Sequence, residues 1–303
     1  MKKLFGVITI ASCMLFSALP VKAITDEGMD AFLNEPILTF SEMSKNPAAI
    51  TVNEYDSLPE KIYLDKENEN ITIKSINHND SISKSLIKDY TLSRDKLAYT
   101  KVRELNKLDD LKLQNMGYNE DSINLIRKIS TNEISPTSTQ YRALFASLTI
   151  IPRDGTLDAN NSGFVIYDWS WDKAPVLAGL HDTIAFGWGK NMTRTGYNVR
   201  LKRSDMNTRT YIRDETFNYI TDSSANPGCS STFRLTDNGQ VALSGRAYLQ
   251  LKSYDSYVDG VEITFAYAHP TINFGGVSVS WSGASIDISS NADIFRSRSA
   301  MFH

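Results

Sequence analysis

Short runs in which apolar and polar residues alternate fill the chain from about residue 145 onward. Each run is rich in β-branched or aromatic side chains, and Gly, Asn, Asp or Pro separates it from the next. This pattern is typical of β-strands joined by turns. The runs are FASLTIIP, GFVIYDWSW, TIAFGWG, YNVRLKR, TRTYIRDETFNYI, STFRLT, QVALSGRAYLQLKSY, VEITFAYAH, GGVSVSWSG and ASIDIS. They predict a mainly β protein with an antiparallel, jelly-roll-like β-sandwich over residues 136–303.

Residues 93–135 carry a different pattern, in which apolar side chains recur every three to four positions as on one face of a helix. Gly117 is placed to end a first helix, and Asn119 is placed to cap a second one. The pattern predicts a helical hairpin over residues 93–135, which we interpret as a structural module. Its apolar positions are Leu97, Val102, Leu105, Leu108, Met116, Ile123, Ile126 and Ile129.

Residues 24–92 are rich in Asn, Asp, Glu, Ser and Lys and poor in large apolar side chains, which predicts an acidic, loosely ordered segment. Counting residues 24–135 gives 20 acidic and 14 basic side chains, whereas residues 136–303 give 15 of each. Neither part has the basic excess that draws a protein to nucleic acid by charge alone. We therefore expect no nucleic-acid partner.

The first 23 residues predict an export signal. Lys2 and Lys3 precede the apolar stretch LFGVITIASCMLFSALP, and Val21-Lys22-Ala23 offers a small-residue cleavage pattern before Ile24. The alternative is a lipid anchor on Cys13, because Ile10-Ala11-Ser12-Cys13 resembles a lipoprotein cleavage box. No other segment approaches the roughly 18 apolar residues of a transmembrane helix. The sequence thus predicts a secreted, extracellular bacterial protein.

Cysteine content is consistent with a fold held together by its own core. After removal of the signal, only Cys229 remains, so no intrachain disulfide can form. No cysteine-protease signature surrounds Cys229, and we interpret it as a small side chain after a turn rather than a nucleophile.

Three of the four tryptophans lie in the stretch YDWSWDKAPVLAGLHDTIAFGWG, residues 167–189. Because side chains alternate between the two faces of a strand, the odd-numbered residues from Val165 to Trp171 share one face. The even-numbered residues from Asp182 to Trp188 share a face of the next run in the same way. Two neighbouring rows of bulky side chains predict the core of a sandwich, with Trp169 and Trp188 buried.

A ligand site is the alternative interpretation of part of this cluster. Trp171 lies where its strand becomes polar, so we expect its ring to be partly exposed. Exposed aromatic rings stack on sugars while nearby carboxylates bind the hydroxyl groups. Two of the three carboxylates Asp168, Asp172 and Asp182 could also form a glycosidase pair, but spacing in sequence establishes no cleft. The candidate ligand-binding residues are Trp171, Asp172, Asp168, His181 and Asp182.

One loop has the oxygen-rich composition that suits calcium. The segment RDGTLDANNSG, residues 153–163, places Asp154, Asp158 and Asn160 in a glycine-containing turn. It lacks the EF-hand spacing, so an ordinary loop between strands is favoured over a metal site. We find no zinc spacing, phosphate-binding glycine loop or nucleotide fingerprint, and we expect no cofactor other than this possible calcium.

Together these patterns predict an exported β-sandwich protein that binds a surface ligand such as a glycan or a protein, and is not an enzyme. The alternative is a secreted toxin or hydrolase in which residues 24–135 are a pro-region. The tail VSVSWSGASIDISS alternates strictly, as a membrane-inserting hairpin does. Its arms are shorter than the roughly 9–11 residues needed to cross a bilayer, so we predict an ordinary hairpin.

Overall fold

The computed structural model describes residues 25–58, 61–63, 91–157, 161–175, 181–189, 192–223, 228–253, 260–270, 278–282, 285–289, 292–296 and 300–302. The predicted signal peptide, including Cys13, lies outside this part of the chain. The helices are α1 (Thr25–Asn34), α2 (Phe40–Met43), α3 (Glu54–Ser57), α4 (Arg94–Leu105), α5 (Asp110–Asn115), α6 (Glu120–Ser130) and α7 (Ser138–Leu144).

The strands are β1 (Ile50–Asn53), β2 (Lys61–Tyr63), β3 (Thr91–Ser93), β4 (Ser147–Leu157), β5 (Ser162–Trp171), β6 (Asp182–Trp188), β7 (Met192–Asp205), β8 (Tyr211–Phe217), β9 (Asp222–Ser223), β10 (Gly228–Phe233), β11 (Thr236–Asp237), β12 (Gln240–Ser253), β13 (Val261–Pro270), β14 (Ser278–Ser282), β15 (Ser285–Ser289), β16 (Ala292–Arg296) and β17 (Ala300–Phe302). Each of the ten predicted runs overlaps at least one of these strands, and the mainly β prediction is confirmed.

Two antiparallel sheets make up the C-terminal part of the fold. The first has seven strands in the order β1-β4-β5-β12-β7-β8, with β11 paired to β12. The second has six strands in the order β16-β13-β6-β10-β9, with β17 paired to β13. Side chains from the facing sides of both sheets form one buried cluster. Burial of that apolar surface is the main stabilising contribution to a sandwich of this kind.

The buried cluster contains the tryptophan rows that the alternation predicts. Trp169 and Trp188 are buried, and Trp169 packs against Phe265 with ring centroids 6.2 Å apart. Trp171 is only 3% exposed, so the prediction that its ring is partly exposed is wrong. The strand does become polar at this point, but α3 lies close by and carries Glu54, which is itself buried. Tertiary packing therefore covers the end of the strand.

The helical region begins and ends its elements largely where the sequence predicts. Gly117 has φ +95°, a conformation that favours glycine, and the Asn119 side chain accepts a hydrogen bond from the backbone N–H of Ser122. The first predicted helix is two helices, because the Asp109 side chain caps α5 by accepting from Lys112 N–H. The cap interrupts the apolar stripe without changing its spacing.

The helical core includes side chains on both sides of the predicted boundary at Pro136. Residues of α4, α5 and α6 pack with Tyr141 and Leu144 of α7 and with Tyr55 of α3. The Tyr55 and Tyr141 rings are stacked with centroids 5.5 Å apart. The predicted division of the chain thus falls inside a shared apolar cluster.

Residues 25–58, which the composition predicts as loosely ordered, form α1, α2, β1 and α3. Strand β1 is an edge strand of the first sheet, and its Ile50 pairs with Ile150 of β4. Most of the remainder of the predicted loose segment lies outside the described residues. In the part of the chain that the structure describes, no helix is long and apolar enough to cross a membrane.

Candidate functional site

The candidate ligand-binding residues do not form one surface. Trp171 and Asp182 meet in the interior, because Trp171 Nε1 and the Asp182 carboxylate both contact the hydroxyl of Tyr267. Asp168 is buried on the opposite face of β5. Asp172 and His181 lie at the surface. The proposed sugar platform on Trp171 is therefore absent, since its ring is covered.

Asp172 has a local structural role. Its Oδ1 accepts a hydrogen bond from Ser147 N–H at 2.8 Å, which ties the end of β5 to the start of β4. Burial raises the pKa of the Asp172 carboxyl, while that hydrogen bond opposes the shift.

The predicted calcium loop is only partly described. Asp154 is exposed on β4, and its Oδ1 accepts from Gly155 N–H at 2.8 Å. Asp158 and Asn160 lie outside the described residues. Among the residues that are described, no group of three or more His, Cys, Asp or Glu side chains is placed to hold a metal ion.

A buried polar network occupies one end of the sandwich. His269 of β13 is hydrogen-bonded through Nδ1 to Asp182 Oδ1 of β6 at 2.8 Å. Its Nε2 faces Glu54 Oε1 of α3 at 3.6 Å, an ion-pair distance. The hydroxyl of Tyr267 donates to the other oxygen of Asp182 and accepts from Trp171 Nε1 at 3.3 Å. Asp182, His269 and Glu54 are all fully buried.

The two carboxylates determine the charge of the histidine. Burial by itself lowers the pKa of His269, but the charge and hydrogen bond of Asp182, with Glu54 beside them, raise it from 6.5 to about 10. His269 is therefore an imidazolium at neutral pH. Buried ionic groups are tolerated only when they are paired in this way.

Glu54 connects this network to the chain that precedes the sandwich. Its Oε2 accepts from Ala146 N–H at 2.8 Å, and its own N–H donates to Ala146 O at 2.9 Å. The helix α3 is thereby fixed to the first residues before β4. Because the described network is enclosed, we assign it a structural role and not a catalytic one.

A second charged cluster lies on the outer face of the seven-stranded sheet. Asp168 of β5 and Arg246 of β12 are directly opposite in register, and Arg246 is opposite Arg200 of β7. The guanidinium of Arg246 donates to both Asp168 oxygens, from Nε at 2.6 Å and from Nη2 at 2.8 Å. Both side chains are fully buried. This bidentate geometry is the strong form of an arginine–carboxylate pair.

The remaining donors of the two arginines point at the end of α1. Arg246 Nη1 donates to Ala31 O at 2.8 Å and to Glu35 O at 3.2 Å, and its Nη2 donates to Pro36 O at 3.1 Å. Arg200 Nη1 donates to Phe32 O at 3.2 Å and to Glu35 O at 3.1 Å. Carbonyls at the end of a helix have no partners within it, so these two cations complete α1.

An aromatic contact holds the same helix to the sheet. Phe32 is fully buried against Tyr248, with ring centroids 5.9 Å apart, and Tyr248 stacks on Phe164 at 5.9 Å. Ile166 completes the cluster. A Cβ on Gly28 would lie 2.6 Å from the Phe164 ring, so only glycine fits there without movement of the ring. Helix α1 therefore fits closely against this face.

The exposed apolar side chains are concentrated elsewhere. In the described part of the chain, the exposed large hydrophobic residues are Leu33, Leu111, Met206, Tyr211, Ile212 and Tyr219. Four of these six lie between residues 206 and 219, at the β7–β8 turn, on the edge strand β8 and just after it. We call Met206, Tyr211, Ile212 and Tyr219 the β8 patch. Tyr211 and Tyr219 lie at opposite ends of β8, so the four side chains border one edge strand, and exposed apolar side chains in such a place are one mark of an interaction site.

Several of these positions could not be identified from the sequence. Phe32 and Glu54 carry no local signal of burial. Asp168 does carry one, because it interrupts the apolar run from Phe164 to Trp169, and a charge in such a run requires a partner.

Cys229 also differs from its interpretation as a residue after a turn. It lies within β10, is fully buried and packs in the sandwich core. Burial raises the pKa of the thiol to about 11, so it is protonated and unreactive at neutral pH.

Comparison with known proteins assigns this chain to no family. No family model matches the sequence, and no curated protein matches it. One similar solved structure is that of manganese lipoxygenase of Gaeumannomyces graminis with part of zonadhesin of Komagataella pastoris, at 10% identity and TM-score 0.24 over 50% of this chain. The match spans 47% of that chain, about half its length. Another is AvmM, which catalyses macrocyclization in alchivemycin A biosynthesis, at 9% identity and TM-score 0.22 over 48% of this chain and 87% of that one. Likeness at this level indicates neither fold nor function.

Proposed function

We propose that this protein is an exported, extracellular or cell-surface binding protein whose ligand surface is the β8 patch. The observation that carries the proposal is the contrast between two groups of aromatic residues. Trp169, Trp171 and Trp188 are buried, whereas Tyr211 and Tyr219 are 53% and 51% exposed. Tyr211 lies on β8 and Tyr219 just after it, and exposed tyrosines provide contact area at a low cost in conformational entropy.

The chemistry of the patch favours a glycan as ligand. The apolar face of a sugar ring stacks on an exposed aromatic ring, and neighbouring polar groups bind its hydroxyls. Lys202 Nζ lies 5.8 Å from the centre of the Tyr211 ring, and Arg213 and Asp214 follow on the same strand. Lys202 supplies a donor beside the stacking surface, whereas the Asp214 carboxylate already accepts from Arg200 and Arg213 pairs with Glu215.

The two tyrosines differ in how firmly the fold holds them. Tyr219 stacks on Phe217 with centroids 4.5 Å apart, and its hydroxyl donates to Thr232 O at 3.0 Å. Among the described residues, the Tyr211 hydroxyl makes no hydrogen bond. Its ring contacts Lys202. Tyr211 is therefore the better residue for a test of binding, because its removal disturbs the fold least.

The test is binding of the full chain to insoluble bacterial cell wall and to a panel of immobilised glycans. Tyr211→Ala should weaken binding by about 1–3 kcal/mol, a factor of roughly 5–150, because it removes a stacking face. Leu111→Ala is the matched control, since Leu111 is 66% exposed on α5, outside the patch. Equal binding by both variants, or no binding of the unaltered chain to any glycan, would contradict the proposal.

Export is tested separately by the mass of the protein recovered from an expressing bacterium. Cleavage of the signal predicts a chain in the culture medium that begins at Ile24. A membrane-bound chain that begins at lipid-modified Cys13 would support the anchored alternative. An intact chain that begins at Met1 inside the cell would contradict export.

A further inference from the structure

We propose that the outer face of the seven-stranded sheet is a peptide-binding groove which residues 25–44 fill in cis, and that the same segment of a second copy of the chain fills it once the cis segment is displaced. The groove is defined by Phe164, Ile166, Tyr248, Arg200 and Arg246. Residues 25–44 are called the N-terminal segment below.

The N-terminal segment is attached to the sheet through side chains. Among the described residues, none of its backbone groups pairs with a backbone group outside residues 25–49. It is held instead by the side chains of Arg200 and Arg246, by the aromatic seat of Phe32, and by an ion pair between Glu35 and Arg153 at 3.2 Å. A segment that is held by side chains of the seven-stranded sheet, and not by backbone pairing, is bound in the way that a peptide ligand is bound.

The N-terminal segment and the sheet beneath it are complementary in charge. The N-terminal segment contains five acidic residues and no lysine or arginine; the acids are Asp26, Glu27, Asp30, Glu35 and Glu42. In the sheet beneath it, Arg153 pairs with Glu35, whereas Arg200 and Arg246 are paired with Asp214 and Asp168 and donate to carbonyls of the segment. Lys202 also lies close enough to lower the pKa of Glu42, although the Thr39 hydrogen bonds lower it more. Opposite charges of this kind favour one acidic partner over others.

The rest of the N-terminal region cannot leave the sheet in the same way. Residues 50–53 form β1, which is paired with β4 along its length, and Glu54 is buried beside His269. Loss of residues up to 135 would remove an edge strand, open the helical core and leave His269 with one carboxylate. Displacement of the N-terminal segment, by contrast, breaks no strand pairing among the described residues.

A second copy is the occupant that the contacts favour. The groove is complementary to this particular segment, with a glycine opposite Phe164 and carbonyls opposite two arginines. The same segment on another copy satisfies each of these contacts. Exchange of an identical element between two copies is a low-cost route to a dimer.

The experiment uses the full chain and a fluorescent peptide of residues 25–44. Phe32→Asp places a carboxylate in the aromatic seat and should undock the cis segment, so the variant should bind the peptide at least about tenfold more tightly than the unaltered chain does. Leu33→Asp is the matched control, because Leu33 is 47% exposed beside Phe32. That variant should behave like the unaltered chain.

Two variant peptides compare the same two positions, Phe32 and Leu33, in the ligand. A peptide with Phe32→Ala should bind the Phe32→Asp chain at least about tenfold more weakly, whereas a peptide with Leu33→Ala should bind normally. Equal binding of the two peptides would overturn the groove. Failure of the peptide to bind a Phe32→Asp chain whose tryptophan fluorescence shows a folded sandwich core would do the same.

Two further measurements keep the proposal testable if Phe32→Asp does not fold. A protease site inserted after Ser44 in the full chain should, once cut, let the labelled peptide exchange into the groove; unfolding on cleavage, or no exchange, would overturn the proposal. The unaltered chain refolded at high concentration should contain a dimer that Phe32→Ala diminishes. An unchanged dimer fraction, or no dimer at all, would overturn the second copy as occupant.

Discussion

Replacement of Arg246 by Met should destabilise the protein severely, because it breaks a buried ion pair from one side. Arg246 makes two hydrogen bonds to Asp168 and three to the carbonyls of Ala31, Glu35 and Pro36. After the change, the Asp168 carboxylate is buried, and its nearest described donor is Leu38 N–H at 3.4 Å. Removal of one partner of a buried pair costs roughly 3–5 kcal/mol, and we expect a loss in this range.

The double variant separates the energetic cost of an unpaired buried charge from the cost of the lost hydrogen bonds to carbonyls. With Asp168→Leu added to Arg246→Met, both charges are gone, and apolar replacement of a buried pair is often neutral. The three lost hydrogen bonds to carbonyls remain as a cost, at roughly 0.5–1.5 kcal/mol each. We therefore expect the double variant to be no less stable than Arg246→Met alone. The two single changes should be strongly non-additive.

The assay is urea unfolding followed by tryptophan fluorescence, which reports the core because Trp169 and Trp188 are buried in it. Arg213→Met is the control, since Arg213 is 49% exposed and pairs with Glu215 at 3.4 Å. An exposed pair of this kind contributes less than about 1 kcal/mol. If Arg246→Met costs no more than Arg213→Met, the reasoning from burial is refuted.

Three more outcomes are expected. Trp171→Ala should cost roughly 3–5 kcal/mol of stability in urea titration, because the ring is buried; a loss below about 1 kcal/mol would show that it is not. His269 stabilises the fold fully below pH 6.5, and this contribution of roughly 3–5 kcal/mol should be lost as pH rises to about 10, because its pKa is raised by Asp182 and Glu54. His269→Gln should flatten that part of the pH–stability curve, and an unchanged slope would contradict the assignment. Gly245→Ala should cost roughly 1–3 kcal/mol, because its Cβ would lie 2.2 Å from the Trp169 ring; a stable variant would require a shifted ring, visible as altered near-ultraviolet circular dichroism.

Features that depend on near neighbours in the chain could be predicted from the sequence. Alternation along GFVIYDWSW places Val165, Tyr167 and Trp169 on one face, and the structure has all three in the sandwich core. Gly117 and Asn119 end one helix and begin the next, as their backbone preferences require. A strand or a cap is formed by residues a few positions apart, so its pattern is present in the local sequence.

Which residues pack on each face of a strand could be learned only from the tertiary structure. Alternation shows that Phe164 and Ile166 share the second face of β5, but not that Phe32, more than 100 positions earlier, packs on it. Trp171 was expected at the surface because its strand becomes polar, yet the polar groups near it, Glu54 and His269, are buried in a charged network. Contacts between residues far apart in the chain depend on how the sheets and helices pack, and no local periodicity encodes that packing.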